Sequence, residues 1–153
     1  MNDSLSIKTL LVIRHAKSSW DIGTLNDFER PLNERGKKDA PEMAERLKEK
    51  NVLIDAFVAS PAKRAKKTAE YFIEEYGRSK DYIIFLSKLY HAPAEMFFEV
   101  AEELQENFNT VAVFSHNPGI TEFVNLLTGS VRLDNMPTCG IFAVKFQGSW
   151  KNF

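Results

Sequence analysis

Leu10-Leu11-Val12-Ile13 runs directly into Arg14-His15, and this junction decides the fold. Four consecutive apolar residues read as a strand buried on both faces, the signature of a parallel sheet. Parallel strands of an open α/β sheet deliver their carboxyl ends to the ligand crevice. An arginine and a histidine at that end stand where an anionic substrate can meet a nucleophile. Outward from this junction the same arrangement recurs. Thr110-Val111-Ala112-Val113-Phe114 leads into Ser115-His116, and Ala56-Phe57-Val58-Ala59 leads into Ser60 with Arg64 just beyond. Three apolar strands thus end in residues suited to holding phosphate, which argues for an enzyme.

Helical patterns alternate with these strands, so the expected class is α/β. The first strand covers residues 9–14, and a polar loop over 16–33 is long enough to be functional. Ala40, Met43, Ala44 and Leu47 recur at helical spacing within 34–50, with Asn33 as N-cap. A strand over 54–59 precedes a helix over 61–76, for which Ser60 is the expected cap and Pro61 the first helical residue. A third strand is expected over 82–86, a helix over 94–108, and a further helix over 118–128 with Asn117 before its proline and Gly129 as its stop. The last strand, 140–146, alternates weakly and is expected near an edge.

At 153 residues the chain is expected to form one domain with a substantial core. Its 44% hydrophobic and 27% charged residues are ordinary for a soluble globular protein. A formal net charge of -1 gives no electrostatic case for nucleic acid or a membrane surface. The single cysteine, Cys139, rules out an intramolecular disulfide and reads as a small buried residue. Residues 1–8 are polar, without an apolar signal-peptide core, and no apolar stretch reaches membrane-spanning length. A cytoplasmic location is therefore expected.

His15 can attack phosphorus if one imidazole nitrogen is deprotonated while a hydrogen bond holds the other. His116 can donate to phosphoryl oxygens as their charge develops, or simply cap the helix that follows it. Asn117, next in sequence, joins the substrate-binding candidates. Arg64 lies in a first helical turn, where the macrodipole disfavours cations; a phosphate bound by its guanidinium fork would supply a reason. Arg30 either reaches the same site or pairs with Glu29 or Asp27. No P-loop or dinucleotide glycine pattern occurs, so no nucleotide cofactor is expected. Cys139 lacks an arginine six positions on, which withdraws support from a thiolate phosphatase. His15, His91 and His116 lack local metal-ligand spacing.

Arg14-His15, Arg30-Pro31-Leu32 with Arg35-Gly36, Ser60-Pro61 with Arg64-Ala65 and Thr68-Ala69, and Ser115-His116 follow one another in that order. This set resembles the histidine phosphatase (phosphoglycerate-mutase-like) superfamily, and the Arg-Pro-Leu-x-x-Arg-Gly segment is most similar to its SixA-type phosphohistidine phosphatases. The resemblance implies a three-layer α/β/α fold with a mostly parallel sheet and no metal requirement. It makes His15 the residue that is transiently phosphorylated and places Arg14, Arg30, Arg64 and His116 in the phosphate pocket. Two departures stand out. Ala16 occupies a position where the superfamily commonly has glycine. Tyr90 or His91, with Glu95 nearby, stands about where larger members carry a proton-donating glutamate. A missing acid favours a labile phosphoramidate over a sugar phosphate, because imidazole leaves with less help than an alkoxide. Trp20 and Tyr90 are candidates for the rim or for ordinary packing. The expected activity is a metal-independent phosphatase acting on phosphohistidine in a protein. The rivals are a small-molecule phosphomonoesterase of the same fold and a non-catalytic phosphate-binding module.

Overall fold

A computed structural model describes residues 6–20, 26–129 and 132–153. Parts of the polar N-terminal stretch and of the long loop, residues 1–5 and 21–25, lie outside the described residues, as do 130–131. Five strands form one sheet: β1 (Ile7–Arg14), β2 (Ala56–Ala59), β3 (Ile84–Phe85), β4 (Thr110–Ser115) and β5 (Ile141–Gln147), in the order β3-β2-β4-β1-β5. The pairs β1–β4, β2–β4 and β2–β3 are parallel, and β5 runs antiparallel to β1. The helices are α1 (Glu34–Glu49), α2 (Lys63–Glu75), α3 (Ala94–Glu102) and α4 (Gly119–Leu127).

Strand side chains alternate between faces, so the apolar runs supply two cores rather than one. Leu11, Ile13, Phe57, Ala59 and Phe114 pack under Ala40 and Ala44 of α1 and Phe72 and Ile73 of α2. Leu10, Val12, Val58 and Val113 pack under Phe97 and Val100 of α3, Ile120 and Phe123 of α4, and Trp150. This is the expected α/β/α sandwich with a mostly parallel sheet. Each fully buried Phe, Ile or Leu in it contributes roughly 1.5–3 kcal/mol through burial. β5 is the expected edge, with half-buried residues alternating with the exposed Ala143, Lys145 and Gln147. Among the described residues, no helix is long and apolar enough to cross a membrane.

Local rules hold where no tertiary partner competes. Asn33 caps α1, its side chain accepting from the Gly36 N–H at 2.9 Å. They yield elsewhere. α2 begins at Lys63, not at Pro61, and its N-cap Ala62 makes no side-chain bond. The Ser60 hydroxyl, expected as the cap, instead lies 2.8 Å from Nε2 of His116. α4 begins at Gly119, and the Asn117 carboxamide oxygen accepts from both the N–H and the hydroxyl of Thr121. α3 stops at Glu102, six residues early. The Phe108 carbonyl is taken by Lys8 Nζ and by the Trp150 indole at 2.7 Å, which ties the turn into β4 to the sheet. β3 shrinks to two exposed residues because Lys80–Tyr82 forms a 3-10 turn capped by Ser79.

Candidate active site

The carboxyl ends of β1, β2 and β4 meet at one edge of the sheet. Arg14 pairs with Ser115 in register, the His15 N–H donates to the Ser115 carbonyl at 3.1 Å, and the Ser60 N–H donates to the Phe114 carbonyl at 3.0 Å. The parallel register therefore sets His15 beside His116, with ring centroids 5.3 Å apart. A cavity of about 220 Å³ opens here, lined by Arg14, His15, Arg30, Arg64, His116 and Asn117 together with Asp27, His91 and Trp20.

His15 is 6% exposed, and its Nδ1 lies 2.7 Å from the carbonyl oxygen of Ala16. A carbonyl only accepts, so Nδ1 carries the hydrogen and Nε2 is left with a free electron pair. Burial pushes its pKa down to about 4; the bond to Ala16 opposes this, and the charges of Arg64, Arg14 and Arg30 add to it. The result is a neutral imidazole with a fixed tautomer. Ala16 sits here without strain, since the non-glycine residues at positive φ among those described are Asn51, His91 and Cys139. Its N–H donates to the Thr68 hydroxyl at 3.0 Å, and that hydroxyl donates to the Arg64 carbonyl at 2.8 Å. One threonine thus ties the loop after His15 to the helix that carries Arg64.

His116 is equally buried, and its pKa is driven down to about 2, first by burial and then by His15, Arg64 and His91, against the pull of Asp27. The Ser60 oxygen accepts from the Ala62 N–H and keeps a hydrogen that it can give to Nε2 of His116. Given there, it leaves the ring hydrogen on Nδ1, a buried atom with no partner among the described residues.

The guanidinium groups are anchored on one side and free on the other. Arg14 donates through Nη1 to the Met136 carbonyl at 2.8 Å, and Arg30 donates through Nη2 to the Ser18 hydroxyl at 3.2 Å. Trp20, 75% exposed, lies under the Arg30 guanidinium at 3.5 Å. Burial lowers the pKa of Arg14, and of Arg30, where Arg64 adds to it. Arg14 Nε, Arg30 Nη1 and Arg64 Nε are buried without a hydrogen-bond partner among the described residues. Each such orphan costs roughly 1–3 kcal/mol, and the residues that carry them, together with His116, line the same cavity. The Asn117 amide group is already committed, donating to the Asn135 side chain and to the Met136 carbonyl; it steadies the loop that anchors Arg14.

Asp27 is the residue that sequence reasoning undervalued, raising it only as an alternative partner for Arg30. Its carboxylate accepts from Arg64 Nη2 at 3.0 Å and from the Tyr90 hydroxyl at 2.6 Å, and lies 3.3 Å from Arg30 Nε. Its own carbonyl takes Arg64 Nη1 at 2.7 Å. Burial alone would raise the Asp27 pKa, but the bonds from Tyr90 and Arg64 and the charges of Arg64 and Arg30 outweigh it and hold the group ionised. The signal was local: Asn26 caps a 3-10 turn over Asp27–Glu29 by accepting from Glu29 N–H, a capping pattern within the polar loop. Both readings of Arg30 hold, since it lines the cavity and pairs with Asp27. Tyr90 stands one step behind the lining, while His91 reaches it; Glu95 is exposed and outside it. Cys139 is buried, its thiol pushed up to about 12 by burial and then by Asp39, so it is no nucleophile.

Comparison with known proteins agrees with this geometry. Residues 10–89 match the family model of the histidine phosphatase superfamily (branch 1). An uncharacterized chloroplastic protein of Arabidopsis thaliana is 28% identical over 154 aligned positions, covering 94% of this chain and 69% of that protein. A solved structure from Agrobacterium tumefaciens, named a SixA phosphohistidine phosphatase, superposes with a TM-score of 0.80 at 24% identity, covering 89% of this chain and 90% of that one. The protein histidine phosphatase SixA complexed with tungstate gives 0.76 at 22% identity, over 94% and 98% of the two chains. At these identities the structural likeness establishes the fold.

Proposed function

The chain belongs to the histidine phosphatase superfamily, branch 1, and on that premise we propose that it hydrolyses phosphohistidine on a protein through a covalent intermediate on His15. The observation that carries the reading is the 2.7 Å contact of His15 Nδ1 with the Ala16 carbonyl, which leaves Nε2 unprotonated toward a cavity ringed by guanidinium groups. Nε2 attacks phosphorus, the bond to the leaving group breaks, and water then displaces phosphate from His15. Arg14, Arg30, Arg64 and the Nδ1–H of His116 are set to neutralise charge spreading over the equatorial oxygens. That role needs no metal, because fixed cations supply the charge.

The substrate class rests on the shape of the site. A cavity of about 220 Å³ is smaller than the roughly 300–1,000 Å³ of pockets that enclose a whole small-molecule ligand, so part of the substrate stays at the mouth beside exposed Trp20 and His91. An open mouth suits a side chain presented on another protein's surface. The test is an acid-labile, base-stable phosphoryl label mapped to His15, with kcat/KM compared between phosphohistidine peptides and a panel of phosphorylated metabolites. His15→Ala is expected to abolish label and turnover with the fold intact, and EDTA to change neither. Full activity in His15→Ala ends the reading; preference for a metabolite reassigns the substrate.

A further inference from the structure

We infer that His91 is the proton carrier of this site, protonating the leaving group in the first step and accepting a proton from the attacking water in the second. The inference rests on the phosphatase reading above and assigns a residue that the reading leaves without a role.

Position is the first argument. Three imidazoles follow one another across the cavity, with ring centroids 5.3 Å apart from His15 to His116 and 6.4 Å from His116 to His91. The first two are almost fully buried, whereas the His91 side chain is 64% exposed. Attack from the buried side directs the departing atom toward the mouth in an in-line displacement. His91 stands at that mouth.

Charge and backbone agree. His91 Nε2 lies 3.5 Å from Asp27 Oδ2, within ion-pair distance but too long for a good hydrogen bond. The carboxylate is thus a counter-ion for the imidazolium that does not lock the ring. His91 also sits at φ 55°, a left-handed conformation of the kind that costs roughly 1–3 kcal/mol and persists where surroundings impose it. The surroundings are visible: its ring lies 3.9 Å from that of Tyr90, and the next residue, Ala92, is wedged against α4. A Cβ on Gly119 would meet the Ala92 carbonyl oxygen at 1.9 Å, so the two backbones touch. The groups around His91 are committed elsewhere. Asp27 is ionised and accepts from Arg64 and Tyr90, the Tyr90 hydrogen is given to Asp27, and the His116 ring is held by Ser60.

The steps balance. As Nε2 of His15 bonds to phosphorus, the bond to the leaving atom breaks, and that atom keeps the electron pair and takes the His91 proton. Water oxygen then bonds to phosphorus, the phosphorus–nitrogen bond returns its pair to His15, and one water proton restores the His91 imidazolium.

The experiment compares the unaltered protein with His91→Asn, since asparagine tolerates positive φ and its carboxamide is neither an acid nor a base near neutral pH. Two substrates are used: dinitrophenyl phosphate, whose leaving group needs no proton, and phenyl phosphate, whose leaving group does. The variant is expected to lose about 100-fold or more in kcat/KM on phenyl phosphate, while dinitrophenyl phosphate stays within about threefold. It should also release dinitrophenolate in a burst as phosphorylated His15 accumulates. Equal losses on both substrates, or none on phenyl phosphate, overturn the inference alone. No turnover by the unaltered protein of either aryl phosphate or of a phosphohistidine peptide overturns the phosphatase reading and this inference with it.

Discussion

Asp27 grips Arg64 twice, the carbonyl oxygen taking Nη1 at 2.7 Å and the carboxylate taking Nη2 at 3.0 Å. Backbone and side chain of one residue thus fix the plane of a guanidinium whose Nε is left buried and unpartnered. The same carboxylate lies 3.3 Å from Arg30 Nε, so a single anion orients two cations that would otherwise repel each other.

Asp27→Asn separates orientation from charge. Removing a negative charge from the cavity strengthens its attraction for an anion, while loosening Arg64 degrades the geometry needed at the transition state. Inorganic phosphate is expected to bind at least as tightly by calorimetry, and kcat to fall about tenfold or more. Weaker phosphate binding with kcat unchanged would contradict the assigned role.

His15 sets the acid side of the activity. With its pKa at about 4, the ring stays a competent nucleophile well below the range of an ordinary histidine near 6.5. The acid limb of kcat/KM, corrected for titration of the substrate phosphoryl group, is expected to have its midpoint near 4. A midpoint at 6.5 or above would mean that burial and the neighbouring arginines do not act on His15 as the geometry requires.

Much of the site is legible in the sequence because it is strand-borne. Residues 10–13 and 111–114 are apolar without alternation, so they read as central parallel strands, and register alone then brings residues 15 and 116 together. What escapes is chemistry shared between distant segments. Asp27 meets Arg64 37 residues away and Tyr90 63 residues away, and nothing in a polar loop announces such partners. Ser60 satisfies the local rule for a helix cap, yet its hydroxyl serves His116 56 residues on. The end of α3 is invisible to helical periodicity because Leu104 and Phe108, beyond Glu102, continue the apolar spacing while packing on the core from outside the helix.

Ser60→Ala probes the tautomer of His116. Without the hydroxyl, Nε2 loses its donor, and the ring is free to place its hydrogen there instead of on Nδ1. The phosphoryl oxygens then face a lone pair rather than an N–H. A loss of about 10- to 100-fold in kcat is expected, smaller than removal of the imidazole, with the circular dichroism spectrum unchanged. A kcat within twofold of the unaltered protein would show that Ser60 does not set the proton's place.

Stability should fall on mild acidification, above the pH at which an ordinary carboxylate is half protonated. Both buried imidazoles have folded pKa values below the ordinary 6.5, at about 4 for His15 and about 2 for His116. Above 6.5 each is neutral folded or unfolded and contributes no pH dependence. Between 6.5 and 4 the unfolded chain takes up protons that the folded chain refuses, so unfolding is favoured by up to about 1.4 kcal/mol per pH unit for each ring. Below 4 the His15 share is exhausted, while that of His116 persists toward 2. Urea unfolding at pH 7 and pH 5 should therefore show a clear loss of stability at the lower pH. His15→Asn, which cannot titrate, should remove about half of that loss. Equal stability of the unaltered protein at the two pH values would mean that both rings take up protons in the folded state as they do in the unfolded chain, against the neutral pair that the proposed attack requires.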